Sequence, residues 1–366
     1  MKKIKVLHYG LSNHLGGIET FLYNLAVNLD PVKYQTDFLI IGNEIPCFYN
    51  ELKKIGCNFY FVTSRRQNFF KSREEIKNLL KKQSYDLVHC HCNTLSYIEP
   101  VLVANQLGIK VIVHSRNGGA KISMHSSLMH KINQFILPYN KIHLLAVSTE
   151  AGKWMFKKKK FDVINNGVDL EKYRYSETLR NSIRKELNIQ DSTVLIMIGA
   201  FRKQKNHNFA INIMKELCNI SGKYKLLLLG DGKLKESIEK LVKELQIEDN
   251  VLFLGNQNNI QPYLSAADYF LFPSFYEGFP NALLEAEANG LLCFASNTIT
   301  REVQVNNMIS YLDLNDGVSA WAKTIKENHN KINRENSIID LIKLGKDKKT
   351  EINNITRYYQ RILDEE

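Results

Sequence analysis

The feature of this sequence that most constrains its fold is a regular alternation of short β-rich runs with amphipathic stretches of helical period. In the first part of the chain, strands are predicted over residues 5–9, 36–41, 59–62, 87–90, 111–114 and 144–147. Helices are predicted over 21–29 and from Ser72, where Ser72 and Glu75 match a capping box. Alternation of this kind is typical of a parallel sheet with helices on both faces.

The same pattern begins again near residue 193. Its predicted strands cover 193–198, 226–229, 251–254, 269–272 and 291–295. Between the two series, residues 157–175 contain a lysine run and the turn Asn166-Gly167 but few sustained apolar residues, so the boundary is predicted there. We therefore expect an α/β fold of two doubly wound domains, residues 1–165 and 166–349, with a cleft between them. Ligands in such sheets bind beyond the carboxyl ends of the strands.

Composition narrows the class of protein. With 44% hydrophobic and 24% charged residues, the 366-residue chain has the composition of a soluble globular protein. Its six cysteines are too sparse to staple a chain of this length, and no apolar run approaches the roughly 18 residues that a membrane span needs. The N-terminus lacks the long apolar region of a signal peptide. These features predict a reduced, cytoplasmic protein.

The net charge of +11 favours an anionic partner: a nucleotide, a nucleic acid or an anionic bilayer. An aromatic-rich RNA-binding signature and the Cys/His spacing of a zinc finger are both missing from the sequence. We therefore expect no nucleic-acid partner.

A double glycine follows the first predicted strand and precedes a helix, at Gly16 and Gly17. Backbone amides and the helix dipole at such a position suit a phosphate, although a glycine-rich turn without a ligand has the same pattern. The spacing is not G-x-G-x-x-G, which disfavours a nicotinamide or flavin cofactor.

The strongest constellation lies at residues 273–288, where a strand ends, a turn follows and a helix begins near Asn281. Glu277 lies in the loop and Glu285 about one turn into the helix. A loop carboxylate at a strand end can bind ligand hydroxyls, while exposed amides of Gly278, Phe279 and Asn281 with the helix dipole can hold a diphosphate. Two ordinary surface acids are the alternative interpretation.

Glu277 and Glu285, separated by seven residues, resemble the signature of family 4 retaining glycosyltransferases, which have the GT-B fold of two facing Rossmann-like domains. Further matching segments, in chain order, are 16–20, 85–91, 113–117, 147–148, 164–169, 204–207, 229–232, 253–255 and 296–302. The versions at His114, Gln204-Lys205 and Ile299 are most similar to the bacterial exopolysaccharide and capsule branch of that family.

The resemblance implies a role for each matched residue. Glu285 would bind the nucleotide ribose, Glu277 would lie against the donor sugar, and Lys205 would neutralise the departing diphosphate, where a point charge stabilises the transition state. Backbone contacts to the donor would come from Gly16, Gly17, Gly255, Gly278, Phe279, Asn281, Ala282 and Leu283. His114 would orient a sugar hydroxyl or the acceptor, although a lone strand-end histidine can equally be structural.

The sequence departs from the family at Ala200, where the family usually has a phosphate-binding arginine. Arg202 or Lys203 would have to reach the same phosphates, so the substitution puts donor affinity in question.

Metal binding is not expected. In a strand, His89 and His91 point to one face and Cys90 and Cys92 to the other, so the four do not form a ligand cluster. The sequence also lacks the Asp-x-Asp motif that holds a divalent ion in the other major glycosyltransferase fold. We expect no cofactor: the nucleotide sugar, which we take to be a UDP-sugar, is a substrate.

Two basic segments, 65–73 and 157–160, suggest either contact with an anionic membrane or a solvated loop and a linker. The resemblance implies that the first domain receives the acceptor, a glycan or polyprenyl-linked sugar at the inner face of the plasma membrane. It also implies that the final helix, 350–366, packs back onto the first domain.

Taken together, the sequence predicts a retaining, metal-independent glycosyltransferase that acts in bacterial surface polysaccharide synthesis. Two alternatives stay open: a nucleotide-sugar epimerase of the same architecture, and a degenerate protein that binds a partner or glycan without turnover.

Overall fold

The structure of the protein is a computed structural model, which describes residues 3–119, 123–305, 307–328, 334 and 337–365. The chain forms two compact units. One comprises Met1–Asn166 together with Lys349–Glu366, and the other comprises Gly167–Lys348. These limits lie one residue from the domain limits expected from the sequence.

The first unit is a parallel sheet covered by helices. Its strands are β1 (Ile4–Tyr9), β2 (Tyr34–Ile41), β3 (Asn58–Val62), β4 (Leu87–Cys92), β5 (Lys110–Ser115), β6 (His143–Ala146) and β7 (Asp162–Val163). Its helices are α1 (Gly17–Asn28), α2 (Tyr49–Lys54), α3 (Phe69–Gln83), α4 (Glu99–Gln106), α5 (Met124–Ile136) and α6 (Thr149–Phe156). The strand order is β3-β2-β1-β4-β5-β6-β7, so the order reverses between β1 and β4.

The second unit repeats this architecture. Its strands are β8 (Thr193–Ile198), β9 (Tyr224–Leu229), β10 (Val251–Gly255), β11 (Tyr269–Phe272), β12 (Leu292–Ser296) and β13 (Ile309–Leu312). Its helices are α7 (Leu170–Tyr173), α8 (Glu177–Glu186), α9 (His207–Ile220), α10 (Lys235–Glu244), α11 (Gln261–Ala266), α12 (Asn281–Ala288), α13 (Gly317–Glu327) and α14 (Ser337–Lys343). The order β10-β9-β8-β11-β12-β13 reverses between β8 and β11, and this reversal defines the ligand-binding edge of such a sheet.

The last helix, α15 (Lys348–Asp364), belongs to the first unit for nearly all of its length. Its residues Ile355, Tyr359 and Ile362 are fully buried in one apolar cluster with Val6 of β1 and Phe38 of β2. Burying large apolar side chains is the main stabilising term for such a helix, at about 1.5–3 kcal/mol each. The chain therefore returns to its first unit after completing the second.

The helix predicted to begin at Ser72 in fact begins at Phe69, and the capping box is not formed. The side chain of Asn68 caps the helix by accepting a hydrogen bond from the amide of Lys71. Glu75 instead accepts from the amide of Thr63 at 2.6 Å, and Ser72 is fully buried. Asn is among the preferred N-cap residues. Because Asn68 comes earlier in the chain than Ser72, the helix begins about one turn before the predicted position.

Within the described ranges, none of the helices combines the length and the apolarity that a bilayer span requires.

Candidate functional site

An ion pair occupies the edge of the second sheet where the strand order reverses. The Nζ atom of Lys205, which follows β8, lies 2.8 Å from Oε1 of Glu277, which follows β11. The two side chains are only 18% and 10% exposed, respectively. Gln204 donates to the other carboxylate oxygen of Glu277 at 3.1 Å. The site therefore holds one positive and one negative group in fixed positions at the strand ends.

The loop between β8 and α9 positions Lys205. Residues Lys203–Lys205 form one 3₁₀ turn, and Asn206 ends it with a φ of 59°, a left-handed conformation that Asn tolerates. The lysine chain passes so close to Gly199 that a Cβ atom there would lie 2.8 Å from Cε of Lys205. The Nζ atom lies 4.8 Å from the centre of the Phe272 ring, a cation–π contact. Only glycine leaves room for this path.

Glu285 lies in α12 within the electrostatic range of the same lysine. Burial raises the pKa of Glu285 to about 7, and this outweighs the opposing effects of a hydrogen bond from Tyr173 and the positive charges of Lys172, Lys348 and Lys205. A carboxyl group with a pKa near 7 is partly ionised at neutral pH. Once it is ionised, it can accept hydrogen bonds from a pair of ligand hydroxyls. The second unit thus brings Lys205 and Glu277 into contact, with Glu285 in electrostatic range of Lys205.

The N-terminus of α12 is less open than expected. The amide of Asn281 donates to the carbonyl of Phe279, and that of Leu283 donates to the carbonyl of Pro280. Gly278, Phe279 and Leu283 are buried, whereas Asn281 and Ala282 are partly exposed. The two engaged amides reach a ligand only if these short turns open, so the expectation that Asn281 offers a free amide is corrected.

The other second-unit residues expected at the donor site lie at the same edge of the sheet or close to it. Gly255 ends β10, and its carbonyl accepts from the amide of Gly230, 2.8 Å away. Arg202 caps the 3₁₀ turn of Lys205 and is exposed, while Ala200 is partly exposed. The guanidinium of Arg202 is therefore free to swing on the surface, but it does not occupy the position of an arginine at residue 200.

In the first unit, Gly16 and Gly17 form the N-terminus of α1, as predicted. Gly16 is the cap residue with an extended backbone, and both glycines are exposed. The Glu19 side chain turns inward, is 6% exposed and accepts from the Ser12 hydroxyl at 2.7 Å. A Cβ at Gly16 would lie 3.0 Å from a Glu19 oxygen, so a larger residue there would make the Glu19 carboxylate shift by a few tenths of an ångström.

His114 was expected at the end of its strand, within reach of a ligand. It lies one residue before the end of β5, but its side chain is fully buried. Its Nδ1 lies 3.1 Å from Nε2 of His89, and its Nε2 lies 3.4 Å from a guanidinium nitrogen of Arg116. His89 in turn contacts the hydroxyl of Tyr359 at 2.7 Å. Both ring nitrogens of His114 are therefore engaged within the unit, which is incompatible with direct contact to a sugar hydroxyl in this conformation.

Arg116 sets the direction of this chain of hydrogen bonds. An arginine only donates, so Nε2 of His114 accepts, and its Nδ1–H donates to His89. His89 then donates through Nδ1 to Tyr359. Burial lowers the pKa of His114 and of His89, so both rings are neutral. Arg116 also stacks on Phe21 at 4.0 Å, and it is the partly exposed end of the network.

Among the residues that the structure describes, His8, His89 and His91 form a group with the spacing of possible metal ligands. One ring nitrogen from each lies within 4.8 Å of the others, and Nδ1 of His8 is 3.1 Å from Nε2 of His91. However, both nitrogens of His89 are already engaged, as described above. His8 and His91 alone would supply two ligands. As the sequence predicted, Cys90 and Cys92 lie on the other face of the strand, in a separate apolar cluster.

Comparison with known proteins assigns the family. The family model described as glycosyltransferase family 4 matches residues 15–172, and the model described as glycosyl transferases group 1 matches residues 180–342. EpsF of Bacillus subtilis, which is assigned as a glycosyltransferase, is 30% identical over 335 residues, covering 88% of this chain and 86% of that protein. The chain belongs to glycosyltransferase family 4.

One further related sequence and one solved structure are similar to this family 4 glycosyltransferase. The UDP-Gal:alpha-D-GlcNAc-diphosphoundecaprenol alpha-1,3-galactosyltransferase of Escherichia coli is 29% identical, covering 86% of this chain and 85% of that protein. The crystal structure of Anabaena HepE with UDP and glucose superposes with a TM-score of 0.79 at 17% identity, covering 98% of this chain and 100% of that one. The expected GT-B fold is confirmed.

Sequence reasoning missed four side chains that complete these sites. Tyr173 hydrogen-bonds Glu285, and Gln204 hydrogen-bonds Glu277. Arg116 contacts His114, and Tyr359 contacts His89. Gln204 and Arg116 lie inside the segments that match the family, so the sequence contained a signal that could have identified them. Tyr173 and Tyr359 lie far from their partners in sequence, and no local pattern marks them.

Proposed function

We propose that this family 4 glycosyltransferase transfers a sugar from a UDP-sugar to a hydroxyl of a lipid-linked glycan, with retention of anomeric configuration and without a bound metal. The setting is bacterial surface polysaccharide synthesis at the inner face of the plasma membrane. The observation that carries the proposal is the Lys205–Glu277 pair at the strand ends of the second unit, with Glu285 in electrostatic range.

Each of the three groups suits one part of such a donor. The Glu285 carboxylate accepts hydrogen bonds from the two ribose hydroxyls, and Tyr173 holds it in place. The ammonium of Lys205 binds the diphosphate, and Glu277 accepts from a hydroxyl of the donor sugar. The dipole of α12 adds positive potential at the phosphates. With the leaving charge neutralised in this way, the reaction does not require a metal ion. The HepE complex with UDP and glucose supports this type of donor.

In the reaction, the bond between the anomeric carbon and the diphosphate oxygen breaks, and an oxocarbenium-like centre forms. The acceptor oxygen attacks the face that the diphosphate leaves, and its proton passes to a phosphate oxygen. The positive charge of Lys205 stabilises the diphosphate as its charge grows, which is the kind of contribution that makes electrostatic preorganisation effective. The bond formed therefore has the configuration of the bond broken.

The acceptor binds to the first unit in this proposal. The guanidinium of Arg116 offers hydrogen-bond donors to an anionic or hydroxylated acceptor, whereas the exposed amides at Gly16 and Gly17 suit a phosphate. His114 acts through Arg116, which it orients, rather than by touching the sugar. The printed activity of the E. coli relative, on a diphosphoundecaprenol-linked sugar, supports an acceptor of this class.

Thermal unfolding with a panel of nucleotides and nucleotide sugars tests the donor. A ligand at 100 times its Kd adds about 2.7 kcal/mol of stability, so UDP and one UDP-sugar should raise the unfolding temperature while NAD should not. Absence of any nucleotide effect at millimolar concentration would favour the degenerate protein instead. Conversion of the UDP-sugar into an isomer without an acceptor would favour the epimerase.

Two further measurements test the finer points. The anomeric proton coupling of the product should match that of the donor sugar if configuration is retained. Turnover should survive dialysis against EDTA, and its loss with recovery on adding Mg²⁺ would contradict the metal-independent mechanism.

A further inference from the structure

Helix α5 in the first unit has its polarity reversed. A helix on the surface of a globular protein normally buries its apolar side and exposes its polar side. In α5 the buried residues are His130 and Gln134, both polar. The residues at the outer positions are apolar and exposed: Met124 88%, Leu128 55%, Ile132 38%, Phe135 81% and Ile136 52%.

Polar contacts hold the helix in this orientation. His130 accepts a hydrogen bond from the amide of Leu95 at 3.0 Å through its Nδ1 atom. The amide group of Gln134 donates to the carbonyl of Met155 at 2.9 Å, which satisfies an acceptor in the last turn of α6. Asn133 donates to the carbonyl of Leu95. Rotating α5 to bury its apolar side would break these hydrogen bonds and leave the polar groups unpaired. The hydrogen bonds therefore keep the apolar side of α5 facing outward.

Positive charge surrounds this apolar side. Lys131 lies on α5 itself, and the exposed run Lys157–Lys160 follows α6. The Nζ atom of Lys157 lies 5.2 Å from the centre of the Phe135 ring, so the lysine run and the apolar side are one surface. The sequence of α5 contains no acidic residue, and the acid of α6, Glu150, lies at the other end of that helix. We call the outer side of α5 together with Lys157–Lys160 the α5 surface.

A cavity of about 400 Å³ opens within this surface. Lys131 and Lys157 line it together with the aromatic rings of Phe135 and Trp154. His130 stacks on Trp154 with ring centres 4.6 Å apart. Burial, together with the positive charge of Lys157, lowers the pKa of His130, so the ring stays neutral. The two lysines can bind the phosphate of a lipid headgroup beside the two aromatic rings. The acyl chains of that lipid would then lie against the apolar side of α5.

We propose that the α5 surface docks this glycosyltransferase onto an anionic lipid bilayer. The occupant is assigned by charge: an apolar stripe rimmed by five lysines matches a surface that is both apolar and negative, whereas a second copy of the chain would bring the same positive rim. The other basic segment contributes less, because Arg65 donates to the carbonyl of Ser96 and Arg73 pairs with Glu99. The purpose of the docking rests on the proposed function, since a lipid-linked acceptor lies in the bilayer.

Vesicle flotation provides the test. The wild-type protein should float with vesicles of 30% phosphatidylglycerol in phosphatidylcholine and not with phosphatidylcholine alone, and 0.5 M NaCl should release it. Because Trp154 lines the cavity that opens within the α5 surface, its fluorescence should be quenched by brominated lipids. The second tryptophan, Trp321, is fully buried and should not respond.

Matched variants separate this surface from others. Leu128→Ser with Phe135→Ser should weaken vesicle binding roughly 100-fold or more, since each apolar side chain contributes about 1.5 kcal/mol or more. Phe70→Ser removes an equally exposed phenylalanine, 81% in each case, and should leave binding unchanged. Lys158→Gln with Lys159→Gln should weaken binding roughly 20- to 30-fold at about 1 kcal/mol per lysine, while Lys81→Gln with Lys82→Gln should have little effect.

The proposal is overturned if the wild-type protein does not bind the anionic vesicles. It is equally overturned if the double variant Leu128→Ser with Phe135→Ser binds them as tightly as Phe70→Ser does. It is also overturned if the wild type is a dimer in solution that the Phe135 variant dissociates, because α5 would then join two copies. UDP binding by the same variants is measured in parallel. Wild-type protein that binds UDP but not the anionic vesicles refutes only the docking, and wild-type protein that binds the vesicles but not UDP refutes only the donor site.

Discussion

Replacing Glu285 by glutamine should stabilise the free protein while it destroys the donor site. The carboxyl pKa of Glu285 is raised by burial from an ordinary 4.5 to about 7. A group whose folded pKa is raised binds its proton more tightly in the folded state, so the stability it contributes is complete below pH 4.5. That stability is lost as the pH rises through 7.

The magnitude follows from the size of the shift. A displacement of about 2.5 units corresponds to about 3 kcal/mol in total, of which about 2.5 kcal/mol is lost between pH 5 and pH 8. Glutamine keeps the shape and accepts the hydrogen bond from Tyr173, but it does not titrate. The free energy of unfolding of Glu285→Gln relative to the wild type should therefore increase by about 2.5 kcal/mol from pH 5 to pH 8.

Urea unfolding at the two pH values measures this difference. In a Trp154→Phe background the remaining tryptophan is Trp321, which is fully buried in the second unit and reports on that unit alone. Glu244→Gln, at an exposed position of α10, is the control and should show no such pH-dependent gain. An equal effect of Glu285→Gln at pH 5 and pH 8, or a loss of stability that grows with pH, would refute the reasoning.

Four other outcomes are expected. Lys205→Ala should lower kcat roughly 10²- to 10³-fold, as removal of a transition-state donor does elsewhere, and a rise in KM with kcat unchanged would contradict that role. Gly199→Ala should also lower kcat, since its Cβ would lie 2.8 Å from Cε of Lys205; unchanged turnover would show that the lysine path is not constrained. Tyr359→Phe should cost about 1–3 kcal/mol in urea unfolding by leaving the His89 N–H unpaired, and a neutral result would argue against the assigned direction of the hydrogen bonds. Asp268→Ala should cost roughly 3–5 kcal/mol, because Asp268 accepts from Arg184 at 2.6 Å and from the Val194 amide at 2.8 Å, whereas the exposed-pair variant Glu239→Ala should cost under about 1 kcal/mol.

Local patterns predicted most strands because buried parallel strands are short apolar runs. The predicted strand 193–198 coincides with β8, and 269–272 coincides with β11. β7 and β13 were missed. β7 is two residues long and lies beside the lysine run, and β13, Ile309–Leu312, alternates too briefly to stand out. Strand order could not be derived from the pattern, since it depends on long-range packing.

The places of Glu277 and Glu285 after a strand and in the next helix were predictable, because both lie within one short stretch of chain that follows a predicted strand. The pairing of Lys205 with Glu277 was not, because it joins loops 72 residues apart. The strand that contains His114 was predicted, but the burial of its ring depends on His89 and on Tyr359 of α15, which is 270 residues from His89. The reversed polarity of α5 was also hidden, since a helix sequence alone does not say which side faces the core.

Calorimetric titration of UDP tests the central claim, a nucleotide-sugar site centred on Glu285, most directly. We predict one UDP bound per chain at pH 8 and an affinity about tenfold weaker at pH 6, where a carboxyl with a pKa of about 7 is mostly protonated. Glu285→Gln should bind at least 100-fold more weakly at pH 8 and should lose the pH dependence. Equal affinities of the two proteins, or no binding of UDP by the wild type at millimolar concentration, would contradict the account.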